Sequence, residues 1–266
     1  MADDLDLAKR LIVMSAEVAL GFYGTRVRTE TKTDGTPVSE ADLAVDRMLT
    51  SELRRLRPSD GILSEESGRD GPHSTRTWII DPIDGTEGFL SEKPHWGTHV
   101  ALEEDGEIVL GIVSRPVMGT QWWALRGMGA YRGDLDSNSS TTSERVSLSP
   151  VQRLNEARIS GWKIDWMVDP LLTAASWFDC EYNELTLVLE GRAEIMVVPG
   201  HLWDHAPFAV LLHESGGSFL NPDGGHRLER GLAYYTNGGV DAEMTEALWP
   251  EGMRPIPGAT NQHEHE

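Results

Sequence analysis

Apolar residues recur along this chain with two periods, and the switch between them separates helical from extended stretches. Over residues 5–23, Leu7, Ala8, Leu11, Ile12, Ser15, Val18, Ala19 and Phe22 follow i, i+3, i+4, i+7 spacing, with Lys9, Arg10 and Glu17 off the stripe. That pattern predicts an amphipathic helix ending near Gly21 or Gly24. The polar stretch 32–39, with its Asp34-Gly35 and Thr36-Pro37 steps, reads as an exposed loop. Ser39 suits the N-cap of a second helix carrying Leu43, Val45, Met48, Leu49, Leu53 and Leu56, and Asp42 completes a Ser-x-x-acid capping pattern.

Extended patterns follow. Residues 60–68 read as a brief strand ending in Glu65-Glu66. Trp78-Ile79-Ile80 reads as a buried strand that stops at Asp81-Pro82, where proline cannot donate to a sheet ladder. Residues 95–103, 108–114 and 121–125, separated by glycine turns, predict antiparallel strands, and 127–133 a glycine-punctuated hairpin. The stretch 134–144, rich in Ser, Thr, Asn and Asp, reads as an exposed loop between an N-terminal α+β lobe (1–145) and a C-terminal α/β lobe (146–250). In the second lobe, strands at 155–160, 193–198, 218–220 and 233–236 alternate with helices at 182–190, 203–214 and 242–249. Pro207 is expected in the first turn of its helix, where no intrahelical partner is lost. The tail 251–266, ending His-Glu-His-Glu, reads as a flexible end.

Composition narrows the function. The formal charge of −20, from 23 Lys+Arg against 43 Asp+Glu, repels polynucleotides and anionic membrane surfaces and attracts divalent cations. A single cysteine, Cys180, rules out an intrachain disulfide and a cysteine-rich zinc site, and suits a reducing compartment. The acidic N-terminus lacks the pattern of a signal peptide, so a cytoplasmic location is expected.

Candidate chemistry begins where the 77–80 strand ends. Asp81 and Asp84 flank a proline turn, so two carboxylates and the Ile83 carbonyl can converge as hard oxygen donors of the kind Mg²⁺ takes. Gly85 and Thr86 then turn the chain toward a helical start whose free N–H groups suit a phosphate. Asp-Pro and Asp-Gly are also ordinary turn dipeptides, and Asp42 is explained by helix capping alone. Both readings stand at this point.

Three separated stretches together resemble the inositol monophosphatase family, within the lithium-sensitive, magnesium-dependent phosphatases that include fructose-1,6-bisphosphatase. They are Lys32-x-Asp34-Gly35-Thr36-Pro37-Val38-Ser39-Glu40-Ala41-Asp42, Glu65-Glu66 with Trp78-Ile79-Ile80-Asp81-Pro82-Ile83-Asp84-Gly85-Thr86, and Trp203-Asp204 with Glu214-Ser215-Gly216-Gly217. The resemblance spans about residues 5–250. It implies a layered α/β (α+β) fold, the αβαβα sandwich of this phosphatase type, and a homodimer. It implies a Mg²⁺-dependent phosphomonoesterase acting on a small phosphorylated metabolite of the inositol monophosphate or histidinol phosphate type.

By the same resemblance Glu65, Asp81 and the Ile83 carbonyl hold one ion, and Asp81, Asp84 and Asp204 a second, with a weaker third near Glu65. Thr86 and Asp42 activate water, with Glu66 in support, and Gly85 and Thr86 bind phosphate. Lys32 adds charge near the metal or phosphate. Lithium inhibition is expected. A substrate-binding acid of the family falls here on Val197, so Glu181 is the candidate replacement, although it also suits a helix N-terminus. His95, Trp96 and His201 are candidates for the pocket wall or for packing. A 3′(2′),5′-bisphosphate nucleotidase, a sugar bisphosphatase and a secondary-pathway aminosugar or aminonucleoside phosphatase remain open. Readings from other classes are a non-catalytic metabolite-binding regulator and a structural Ca²⁺ module.

Overall fold

A computed structural model of the protein describes residues 2–33, 35–135, 143–180 and 184–249. Helices α1 (Ala2–Phe22) and α2 (Glu40–Leu56) follow the apolar stripes, burying Leu7, Leu11 and Ile12 on one and Val45, Leu49 and Leu53 on the other. Between them β1 (Thr29–Thr31) and β2 (Pro37–Ser39) form an antiparallel ribbon, so the end of the expected loop is extended instead. Pairing of Ser39 with Thr29 leads directly into the N-cap of α2, where Ser39 N–H donates to Asp42 Oδ2 at 2.8 Å.

The strands β3 (Gly61–Ser64), β4 (Gly68–Asp70), β5 (Arg76–Asp84), β6 (Gly97–Glu104), β7 (Glu107–Arg115), β8 (Thr120–Leu125), β9 (Gly129–Asp134) and β10 (Glu144–Arg145) form one sheet. Its order is β10-β9-β8-β7-β6-β5-β3-β4, antiparallel except for the β3–β5 pair. The short helix α3 (Thr86–Leu90) leaves β5 directly. Strand β5 does not end at Asp81: it runs to Asp84, with a register shift between Asp81 and Asp84. Pro82 falls within that shift, where its missing N–H costs no ladder bond.

The second half holds β11 (Arg158–Gly161), α4 (Asp165–Val168), β12 (Ser176–Trp177), β13 (Ile195–Pro199), α5 (Leu202–Ser215), β14 (Ser218–Leu220), β15 (Leu232–Thr236) and α6 (Asp241–Leu248). Its sheet runs β12-β11-β13-β15-β14. The helix expected at 182–190 is not formed over 184–191, which is a series of tight turns. Its first two residues, and Glu181, lie outside the described residues, as do 136–142 and the tail from 250.

Side-chain packing sets the layers. Helices α1 and α2 pack on one face of the large sheet against Trp78, Ile80, Val100, Leu102 and Ile112. Helix α5 lies between the sheets, with Phe208, Leu211 and Leu212 meeting Val113 and Trp122 on one side and Met196 and Tyr235 on the other. Helices α4 and α6 cover the outer face of the smaller sheet through Met167, Val168 and Met244. This is the αβαβα sandwich.

Helix α5 approaches so closely that a Cβ on Gly111 of β7 would lie 2.5 Å from the Pro207 carbonyl oxygen. Pro207 is the sixth residue of α5 rather than a first-turn residue, because the helix begins at Leu202. At the other end of α5, Glu214 accepts from Gly127 N–H and Gly129 N–H, both at 2.8 Å, and so grips the β8–β9 hairpin.

Candidate metal and phosphate site

The cleft of interest opens where β5, α3 and the N-terminus of α5 meet, and it has a volume of about 290 Å³. Glu65, Asp81, Ile83, Asp84, Gly85, Thr86 and Asp204 all line it. Residues separated by up to 139 positions in the chain are thus brought to one place, counting from Glu65 to Asp204. A larger groove of about 610 Å³, lined by Ile108, Val210, Phe219, Leu228 and polar neighbours, lies elsewhere and contains none of these carboxylates.

Each ligand candidate has a local reason for its position. Glu65 follows β3, and its N–H donates to Ile80 O at 3.1 Å, tying it to the end of β5. Asp81 and Asp84 sit on either side of the register shift. Asp204 is in the first turn of α5, where His201 N–H donates to its Oδ2 at 2.5 Å. Gly200 is required beside it, since a Cβ there would be 2.8 Å from Asp204 Oδ2.

The electrostatics fit a cation. Burial raises the pKa of Asp81 well above the carboxylate range, and Glu65, Asp204 and Asp84 raise it further. Burial likewise raises Asp84 to about 7, against the opposing pull of Arg115, and raises Asp204. Asp81 Oδ1 is buried with no hydrogen-bond donor among the described residues. Buried carboxylates that crowd one another are the donor set of a hard divalent cation.

Around this centre, Thr86 Oγ donates to Asp42 Oδ1 at 3.1 Å and lies 3.2 Å from Ile83 O. Asp42 keeps its capping bonds and accepts from Thr86 as well. Its pKa is raised by burial, the Ser39 hydrogen bonds opposing. Lys32 Nζ donates to Glu65 Oε1 at 2.6 Å and Glu66 Oε1 at 2.7 Å. Burial lowers the lysine pKa, but these two partners outweigh it and raise the pKa overall. Burial pushes Glu66 up to about 7. Gly85, at φ 80°, makes the left-handed turn that starts α3.

His95 and His201 line the cleft, whereas Trp96 is fully buried against Phe89 and Tyr23. Val197 is buried in mid-strand against Gly161 and Tyr234 and belongs to the core. Trp162 and Leu185 also line the cleft. His99 and Arg115, buried behind Asp84, were not legible in the sequence. Asp81, Asp84 and His99 each offer a ligand atom within 4.8 Å of the others. His99 faces Asp81 across β5 and β6, a pairing that only the sheet register reveals.

A profile of the inositol monophosphatase family matches residues 3–252. The chain belongs to this family. It is therefore a phosphoric monoester hydrolase of the inositol monophosphatase family, a group that is in general magnesium-dependent. A histidinol-phosphatase of Streptomyces coelicolor is 36% identical, covering 91% of this chain and 95% of the relative. A Streptomyces griseus protein named glucose-1-phosphate thymidylyltransferase is 42% identical, covering 90% of this chain and 93% of the relative. Among solved structures, the Thermotoga maritima IMPase superposes with a TM-score of 0.78 at 27% identity, covering 92% of this chain and 96% of that one. No described helix is long and apolar enough to cross a membrane.

Proposed function

We propose that this phosphatase hydrolyses the monophosphate ester of a small metabolite whose leaving group carries a flat ring, of the histidinol phosphate type, in preference to a polyol of the inositol type. One observation carries the reaction: Glu65, Asp81, Asp84, Asp204 and Thr86 share a cleft with Asp42 hydrogen-bonded to Thr86. The substrate reading is supported by the rest of the lining, Trp162, Trp203, His201, His95, Leu185 and Pro199, which suits stacking on a ring and offers few partners to many hydroxyls.

In this reading Glu65, Asp81, Asp84, Asp204 and the Ile83 carbonyl would hold two magnesium ions, with a weaker third near Glu65. When bound, magnesium neutralises charge at the phosphoryl group and makes water acidic enough to attack at neutral pH. The Thr86 hydroxyl orients that water and relays its proton to Asp42, whose raised pKa suits a proton acceptor. Gly85 and Thr86 N–H groups hold phosphate oxygens, and Lys32 turns from the Glu65–Glu66 pair to the incoming anion. Glu66 supports Glu65 through the shared lysine. Glu181, outside the described residues, contacts the leaving group. The reading extends to a cytoplasmic homodimer inhibited by Li⁺.

Phosphate release with Mg²⁺ should be measured on histidinol phosphate, inositol 1-phosphate, 3′-phosphoadenosine 5′-phosphate and fructose 1,6-bisphosphate. Pyrophosphate release from dTTP with glucose 1-phosphate tests the reaction named for the S. griseus relative. Histidinol phosphate is expected to exceed inositol 1-phosphate in kcat/KM by about tenfold or more. Equal or reversed rates would overturn the ring preference, and pyrophosphate without phosphate release would overturn the hydrolytic assignment.

A further inference from the structure

A buried guanidinium stands directly behind the carboxylate cluster. Arg115, the last residue of β7, is 1% exposed, and its Nη1 lies 3.5 Å from Asp84 Oδ2 while donating to Ser114 O at 3.2 Å. His99, fully buried on the neighbouring strand β6, brings Nε2 to 3.5 Å from the same oxygen. Its ring is wedged edge-on against Phe208, with centroids 5.4 Å apart. Space for this arrangement is specific to the sequence: a Cβ on Gly97 would lie 2.8 Å from Arg115 Nη1 and 1.7 Å from Ser114 O. A charged side chain is almost never fully buried unless it is paired, and of the carboxylates acting on Arg115, Asp84, Glu190, Asp81 and Glu184, Asp84 acts most strongly.

Asp84 lines the cleft, yet its Oδ2 has essentially no exposed surface. Arg115 Nη1 and His99 Nε2, each 3.5 Å away, are the groups that face this oxygen. We propose that Arg115, with His99 beside it, is a positioning residue for Asp84: a built-in positive charge that turns one oxygen to the rear and holds down the affinity of the cation site in front. This rests on the reading of Asp84 as a magnesium ligand. A fixed unit charge a few ångströms behind a ligand, at an effective dielectric near 20, weakens divalent binding by about tenfold or more. The enzyme gains ions that leave readily and a carboxylate held in one orientation.

The test is calorimetric titration of Mg²⁺ into the full chain for the wild type, Arg115→Gln and Arg115→Lys, together with kcat. Arg115→Gln is expected to bind Mg²⁺ about tenfold more tightly and to turn over at least tenfold more slowly, whereas Arg115→Lys stays within about threefold of wild-type affinity. A merely structural arginine would leave affinity unchanged or weaken it, and either result in Arg115→Gln overturns the proposal. If that variant is recovered only with Mg²⁺ in the buffer, the same comparison is read from the Mg²⁺ concentration at the midpoint of its melting-temperature rise. Absence of Mg²⁺ binding by the wild type overturns the metal reading itself, a separate outcome.

Discussion

The contact between Thr86 and Asp42 gives a double-mutant test of how water is activated. Thr86→Val keeps the shape and removes the hydroxyl, and Asp42→Asn keeps a carbonyl acceptor for Ser39 N–H while removing the proton-accepting charge. Loss of a positioned acid–base group lowers rate by about 10²–10⁴, or roughly 3–5 kcal/mol of barrier. Each single variant should fall in that range. If the two groups joined by the 3.1 Å hydrogen bond act as one relay, as proposed, the double variant should be no slower than the worse single, within a few-fold. Independent groups would multiply to about 10⁴–10⁸.

Stability changes less. The valine forfeits a hydrogen bond to a buried carboxylate, about 1.5–3 kcal/mol, and the asparagine part of the favourable charge at the α2 N-terminus, about 0.3–1 kcal/mol. The assay is phosphate release at saturating Mg²⁺ and substrate, with melting temperature as the folding control. Multiplicative losses in the double variant, or near-normal turnover in Thr86→Val, would refute the relay.

Other expectations are more local. Asp84→Asn should lower kcat by about a thousandfold or more with circular dichroism unchanged, because a ligand charge is lost and the fold is not; near-normal activity would count against the metal assignment. Gly200→Ala places a Cβ 2.8 Å from Asp204 Oδ2, and should cost about a hundredfold in turnover with little change in melting temperature. His205 is buried against Tyr235 with its pKa pushed down to about 4 by burial, whereas an unfolded histidine titrates near 6.5. Between those values the unfolded chain binds a proton that the fold excludes, so stability is present above about pH 6.5 and is lost as pH falls. The loss is about 2 kcal/mol between pH 7.5 and pH 5. In urea unfolding at both pH values, the change in stability from pH 7.5 to pH 5 should be about 2 kcal/mol less favourable in wild type than in His205→Phe. The raised carboxylates titrate with the opposite sign in both proteins and cancel in the comparison, so an equal change in the two would refute the assignment.

The two helices and the site turns were legible because each rests on neighbours in sequence. Ser39 and Asp42 cap α2 within one turn, and Asp81, Pro82, Ile83 and Asp84 form their corner locally. Strand pairing is less local, and there the reading failed in specific ways. Pro82 reads as a strand end, but a register shift absorbs it. Pro37, Val38 and Ser39 fall in a stretch read as loop from its Asp34-Gly35 and Thr36-Pro37 steps, and their pairing with Thr29 to Thr31 has no apolar alternation to announce it. Residues 184–190 show a plausible helical pattern, yet they are held in turns where Arg192 pairs with Glu184 and Glu190. His99 and Arg115 lie outside every motif, and only the register of β5, β6 and β7 brings them to Asp84.

Helix α5 carries Asp204 at one end and, roughly 15 Å along its axis, Glu214 clasping the backbone of Gly127 and Gly129. It acts as a strut: the distance from Asp204 to Asp81 is set by a rigid rod pinned to the large sheet at its far end. Spreading the two sheets to admit substrate would have to break that clasp. On the proposed metal reading, α5 is thus the element that sets how far Asp204 stands from the 81–84 corner.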